Sequence, residues 1–219
     1  KPGGVTGLEA LGRERLSRHF FMRDFLYSEI GNFFQIQNIP DDPNLALHTG
    51  RKLASELLDP LVETFGPIAV RSAIRSPSVN GYGAAHNLGC ASNEANRAAH
   101  IWDQRDAEGN CGACTSVVIP WFADQYEKGR DWQDLAWWLY DHLDFHAIFF
   151  FPKRAAFNLT WRQNPERRIS SWIGPNCAIL RPGDTPPSME ERQTRYADFP
   201  TFRGIQYPEL PERYRVVNP

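Results

Sequence analysis

No apolar run in these 219 residues approaches the roughly 20 consecutive residues that a membrane-spanning helix requires. The opening Lys1-Pro2-Gly3-Gly4 has no hydrophobic stretch behind it and does not read as a retained signal peptide. An excess of either charge is missing too: 24 Lys and Arg face 26 Asp and Glu, for a net charge of −2. Nucleic-acid binding needs a concentrated basic surface that displaces phosphate counterions. The nearest approach to one is residues 162–168, where Arg167 and Arg168 adjoin, and that segment suits a solvated hairpin end. Neither a nucleic-acid nor a membrane partner is expected, and the chain reads as soluble, with the cytoplasm favoured as its compartment. Internal repeats and composition shifts are absent as well. A single domain over residues 1–219 is therefore expected, with a polar lead (1–7) and an extended, proline-rich tail (182–219).

Cysteine is sparse. Cys111 and Cys114 have the spacing of a redox pair or of half a zinc site. No βαβ pattern surrounds them, which argues against a thioredoxin-like unit. A four-thiolate site would need Cys90 and Cys177 to converge on the pair; unpaired thiols or one disulfide are the simpler readings.

Aromatic residues, by contrast, reach 13%, with clusters at Trp137-Trp138 and Phe149-Phe150-Phe151 that suit a core or a pocket wall. Leu45, Ala46, Leu53, Ala54, Leu57, Leu58, Leu61, Val62 and Phe65 fall on one face of a 3.6-residue period, and Gly66-Pro67 ends that helix. Residues 68–74 read as a strand and 75–80 as a polar turn. Residues 81–114 form a long irregular stretch, the kind of segment where sites often lie. Helices are predicted over 121–126 and 132–142, with Leu135, Trp138 and Leu139 facing inward. Strands are predicted over 145–151, 155–161 and 169–173. Consecutive strands with short connections predict an α+β fold, an antiparallel central sheet with helices packed on one side.

This order of features, and above all Ser72-Ala-Ile-Arg75-Ser76-Pro77-Ser78-Val79-Asn80, resembles the zinc D-alanyl-D-alanine carboxypeptidases, whose fold is shared with the hedgehog signalling domain. The likeness runs over roughly residues 20–161. That family takes two zinc ligands from Ser-x-His-x-x-Gly-x-Ala-x-Asp, and a general base and third ligand from Glu-x-Trp-His, which together activate a water. Here the first motif falls either on residues 84–93, keeping His86 but placing Asn93 at the Asp position, or on residues 91–101. The second placement puts Asn93 at the His position and His100 at the Asp position. Ala155 and Asn158 stand where the second motif has Glu and His. Amides ligate zinc poorly and alanine moves no proton, so the inherited zinc-water mechanism is not expected.

The resemblance implies a groove lined by residues 72–103 and 145–161, with Arg75 holding a substrate carboxylate through its guanidinium fork. Its alternative is a loop-pinning salt bridge, and Arg71 is an equal candidate for a structural partner. His86 and His100 are the candidates for proton transfer. Ser72, Asn93, Asn158 and Trp161 are the candidate ligand-binding residues, Asn96 adds another amide, and Phe157 offers a stacking surface. No cofactor is favoured; were zinc present, His86, His100 and Asp103 would be its ligands, against the plainer reading of ordinary loop residues. His142, Asp144 and His146 would share one face of a strand, but His142 better suits a helix end. The expected function is that of a repurposed enzyme of this fold acting on a small amino-acid-like or peptide-like molecule. A non-catalytic binding module and a metal-dependent hydrolase with relocated ligands are the alternatives.

Overall fold

The computed structural model describes residues 1–174 and 178–212. The chain opens with α1 (Val5–Arg13), which begins inside the segment expected as a polar lead, and α2 (Glu29–Phe33). Its longest helical run then starts at α3 (Pro43–Leu53). Proline occupies the first turn, and the Asp42 carboxylate caps it by accepting from the N–H groups of Asn44 and Leu45 at 3.1 Å each. The run passes through a π turn at Ala54–Leu58 into α4 (Asp59–Phe65) and stops at Gly66, whose φ of +84° disfavours any other residue. The predicted apolar face is buried along this run, from Ala46 through Leu53, Leu57 and Leu61 to Phe65.

β1 (Ala69–Ser72), α5 (Pro77–Ala85) and α6 (Asn93–Asn96) follow. Residues 75–80, expected as a turn, instead start α5. The Ser76 hydroxyl accepts from the Val79 N–H at 3.2 Å, and Pro77 takes the first helical position. Next come β2 (Gly112–Val118), α7 (Pro120–Tyr126), α8 (Trp132–His142), β3 (Ala147–Phe150) and β4 (Phe157–Arg162). β5 (Arg168–Ser171), β6 (Ala178–Leu180) and α9 (Met189–Arg195) complete the described elements.

The six strands are ordered β1-β2-β4-β3-β5-β6. The fold is α+β as predicted, but the sheet is mixed, because β3 and β5 run parallel. Residues 151–167, which join them, contain the whole of β4. That is connection enough for a parallel neighbour, and the short β4–β5 loop steps past the start of β3 instead of folding back on β4.

Side chains alternate across the sheet. Phe157, Leu159 and Trp161 of β4 point to the helical layer, where Trp161 donates its indole N–H to Glu56 at 2.6 Å. α8 packs on the same layer through Trp132 against Phe150, with ring centres 4.9 Å apart. Leu135, Trp138 and Leu139 are buried as expected. Asn158, Thr160 and Arg162 point the other way.

The proline-rich tail is not extended throughout. α9 carries a capping box between Ser188 and Glu191, and it docks on α8. Arg192 binds Asp141 through Nε (2.9 and 3.1 Å) and Nη2 (2.7 Å), and the Tyr196 hydroxyl donates to the same carboxylate at 2.7 Å. Both partners are well shielded, at 9% and 13% side-chain exposure. Cutting one side of such a pair leaves a desolvated charge. Arg192→Ala is therefore expected to destabilise by about 2–3 kcal/mol. It is also expected to make the tail beyond α8 the first target of limited proteolysis; an unchanged denaturation midpoint and cleavage pattern would refute the clamp.

Candidate functional site

A groove of about 890 Å³ lies on the sheet face opposite the long helical run. Its floor follows from strand register: Ser72 pairs with Ser116, Ser116 with Asn158, Asn158 with Phe149, and Phe149 with Ser170. Paired positions share a face, so one row of side chains crosses five strands. The row is polar at the β1, β2 and β4 end and meets an aromatic group at β3. A second cavity of about 510 Å³ lies beside α1 and α2 and is walled mainly by apolar residues such as Leu8, Leu26 and Ile36. The larger groove holds the convergent polar groups that recognition requires.

Arg75 stands at the β1 end. Its guanidinium donates to Ser72 Oγ at 3.3 Å and to Asn80 Oδ1 at 3.4 Å, and among the described residues it has no carboxylate partner. The salt-bridge alternative for Arg75 is thus not what the structure shows. Neutral groups aim the fork and leave its charge unspent. Arg71 also lines the groove and has neither an ion pair nor a side-chain hydrogen bond among the described residues. Lys153 adds a third cation, and Glu29 is an opposing acid on the wall.

Asn80 is itself held rigidly. Its amide donates to Ala91 O (3.0 Å) and to Asn93 Oδ1 (2.8 Å), while its oxygen accepts from Asn96 at 3.0 Å. Asn93 then donates to Pro77 O at 3.1 Å. Both ends of the Asn93 amide are therefore consumed in tying α6 to α5, and this residue, expected to touch ligand, does not line the groove. Asn96 does line it, although its N–H₂ is engaged as well.

His100 is buried on the groove wall, with Nδ1 2.8 Å from Ala73 O. A carbonyl can only accept, so Nδ1 carries the proton and Nε2 is the nitrogen left for a ligand. Burial, with the Arg75 charge nearby, pushes its pKa down from 6.5 to about 3. The ring is neutral and accepts hydrogen bonds.

His86 does not join it. The ring is exposed, stacks on Tyr82 at 3.9 Å, and has Nδ1 2.8 Å from Tyr82 O. Asp103 faces elsewhere, its Oδ2 accepting from the Asp41 and Asp42 N–H groups at 2.5 and 3.1 Å. The alternative zinc set of His86, His100 and Asp103 is accordingly not assembled. Among the described residues no three His, Cys, Asp or Glu side chains are placed to hold a metal ion. Trp161 and Phe157, expected in the groove, belong to the opposite face of β4.

His142, Asp144 and His146 share no strand face. His142 stacks on Trp138 within α8, Asp144 is exposed and pairs with Arg167, and His146 is buried ahead of β3. Cys111 and Cys114, three residues apart on extended chain, point to opposite faces. Both are free thiols, as is Cys90, while Cys177 lies outside the described residues. Burial raises the Cys114 thiol to about 11, against the pull of Arg75 and Arg162, which leaves it a poor nucleophile.

Ser116 and Trp172 were not singled out by sequence reasoning, yet both line the groove, as do Phe149 and Phe151 of the aromatic cluster expected in a core or a pocket wall. Alternation along Phe149-Phe150-Phe151 carries part of that signal, since Phe150 is buried and its neighbours are half-exposed. No family model, curated protein or solved structure matches this chain.

Proposed function

We propose that this protein binds a small amino-acid-like or peptide-like carboxylate in the groove, as a divergent relative of the D-alanyl-D-alanine carboxypeptidase fold. The observation that carries this reading is the pair Arg71 and Arg75, cations without carboxylate partners at the head of a polar floor. A guanidinium fork fits a carboxylate in two parallel hydrogen bonds. The Asn158 amide has no hydrogen-bond partner among the described residues, and it can both donate to and accept from a peptide group. His100 Nε2 offers an acceptor to a ligand N–H.

A second reading, proton transfer by His100, has one observation in its favour. Part of what depresses this imidazole is the Arg75 charge, which a bound carboxylate would cancel. That would relieve the smaller part of the depression, while burial, its larger cause, would remain.

Calorimetric titration of N-acetyl-Ala-Gly-Gly as the free acid and as its amide separates these ideas from indifference. The acid is expected to bind at least about tenfold tighter, in line with the 1.5–3 kcal/mol of a charged hydrogen bond, and Arg75→Ala should erase the gap. Equal affinity for acid and amide would remove the carboxylate from the proposal. Turnover of the acid, lost in His100→Gln with affinity retained, would move the protein to the enzymatic reading.

A further inference from the structure

Phe149, Phe151 and Trp172 meet at the far end of the groove, each ring packed on the other two. Phe149 and Trp172 centres lie 5.3 Å apart at 89°, Phe151 and Trp172 5.5 Å apart at 82°, and Phe149 and Phe151 5.2 Å apart at 60°. Edge-to-face packing of this kind holds the rings without covering their outer faces. Trp172 is 66% exposed, although its indole is among the largest apolar surfaces the chain could bury. Large apolar groups left open beside a polar groove commonly mark a binding surface.

Resting on the carboxylate reading above, we infer that this trio is an aromatic subsite selecting peptides with an aromatic side chain upstream of the terminal carboxylate. Three features support the inference. Phe149 belongs to the same cross-strand row as Ser72 and Asn158, so a ligand anchored at Arg75 and lying along the row reaches the trio without turning. Neighbouring strands lie about 4.8 Å apart, so Ser72 and Phe149 are separated by roughly 14 Å, and extended chain rises about 3.4 Å per residue. With the reach of a guanidinium at one end and of an aromatic ring at the other, the ring belongs about two residues before the terminal one.

The third feature is charge. Exposed aromatic rings also bind cations through their faces. Here Arg71, Arg75 and Lys153 line the groove against Glu29, so a cationic ligand would enter a repelling field. An uncharged ring carried by an anionic peptide meets no such penalty.

The test uses the whole chain and three probes in calorimetric titrations: N-acetyl-Phe-Gly-Gly acid, its amide, and N-acetyl-Ala-Gly-Gly acid. The phenylalanine acid should bind about tenfold tighter than the alanine acid, a stacking-plus-burial gain of about 1.4 kcal/mol. Trp172→Ala should abolish that gap while leaving the acid-over-amide preference intact, and Arg75→Ala should do the reverse. Trp172 is exposed, so its loss does not threaten folding, and Phe149→Leu offers a second, apolar replacement that should narrow the same gap. No aromatic preference, with the acid-over-amide gap retained, overturns the subsite and spares the function. Failure of every peptide acid to bind overturns both.

Discussion

Between pH 6 and pH 4 the folded protein should lose stability steeply, and His100→Gln should make that loss shallower by close to one proton. In the folded chain His100 titrates at about 3; in the unfolded chain it returns to its ordinary value of 6.5. Within that window the unfolded state holds a proton that the folded state refuses, so stability is present above pH 6.5 and drains away as pH falls. The limiting slope is about 1.4 kcal/mol per pH unit for each such group. His146, pushed down to about 4 chiefly by burial, contributes with the same sign. Asp59 and Asp103 are raised by burial and act oppositely, but they are common to both proteins and cancel in the comparison. Glutamine keeps a donor for Ala73 O and does not titrate. Urea melts at half-unit pH intervals would show the two stability curves converging towards pH 4; parallel curves would mean that the imidazole is not the buried, neutral group described.

Gly112→Ala is expected to be the most damaging single methyl in the protein. A Cβ at this position would sit 2.3 Å from Ala98 O and 2.9 Å from Trp161 O, both backbone atoms with no flexible end to swing aside. The peptide it would strike is already constrained: Ala98 has φ +50°, and its N–H donates to Gln104 O at 2.9 Å. The loop laid on β2 this way carries His100, and it is stitched down by Cys114 N–H to Ala99 O and by the Trp102 indole to Cys114 O, both at 2.9 Å. Overpacking against immobile backbone costs about 3 kcal/mol or more, a fall in Tm of roughly 10 °C for a chain of this size. Gly109→Ala is the control, since that glycine has φ +85° but open space around it. It should cost only the left-handed penalty of about 1 kcal/mol. Should the two variants melt together, the close approach of loop and strand is wrong.

The difference between legible and illegible parts follows burial geometry. The run from Leu45 to Phe65 was readable because its apolar residues recur at helical spacing, even though α4 is buried on nearly every side, and Gly66 marks its end. β2 was invisible for the opposite reason: every residue of Gly112–Val118 is buried, so no alternation survives, and its small Gly, Ala, Cys, Thr and Ser side chains resemble a loop. α5 hid behind Ser76-Pro77, which serves equally as a turn or as a cap with a first-turn proline. In the site, Ser72, Arg75, His100 and Asn158, to which the resemblance pointed, do line the groove. His86, Asn93 and Trp161 have the same chemistry but face other partners, a distinction set by rotation of an element about its axis. Ser116 needed the register, which only pairing partners distant in sequence reveal, while Arg71 sits at an irregularity of β1 and Trp172 just beyond β5.

The strand order also bears on how the molecule comes together. β3 and β4 are joined by a short hairpin, so their pairing is local and fast. β1 reaches β2 only after the intervening chain, residues 73–111, has closed on itself, an entropic barrier that local contacts do not repay in advance. That same stretch carries Arg75, Asn96 and His100. The cationic head of the groove is therefore expected to assemble late, on a hairpin that already displays Asn158 and Phe149.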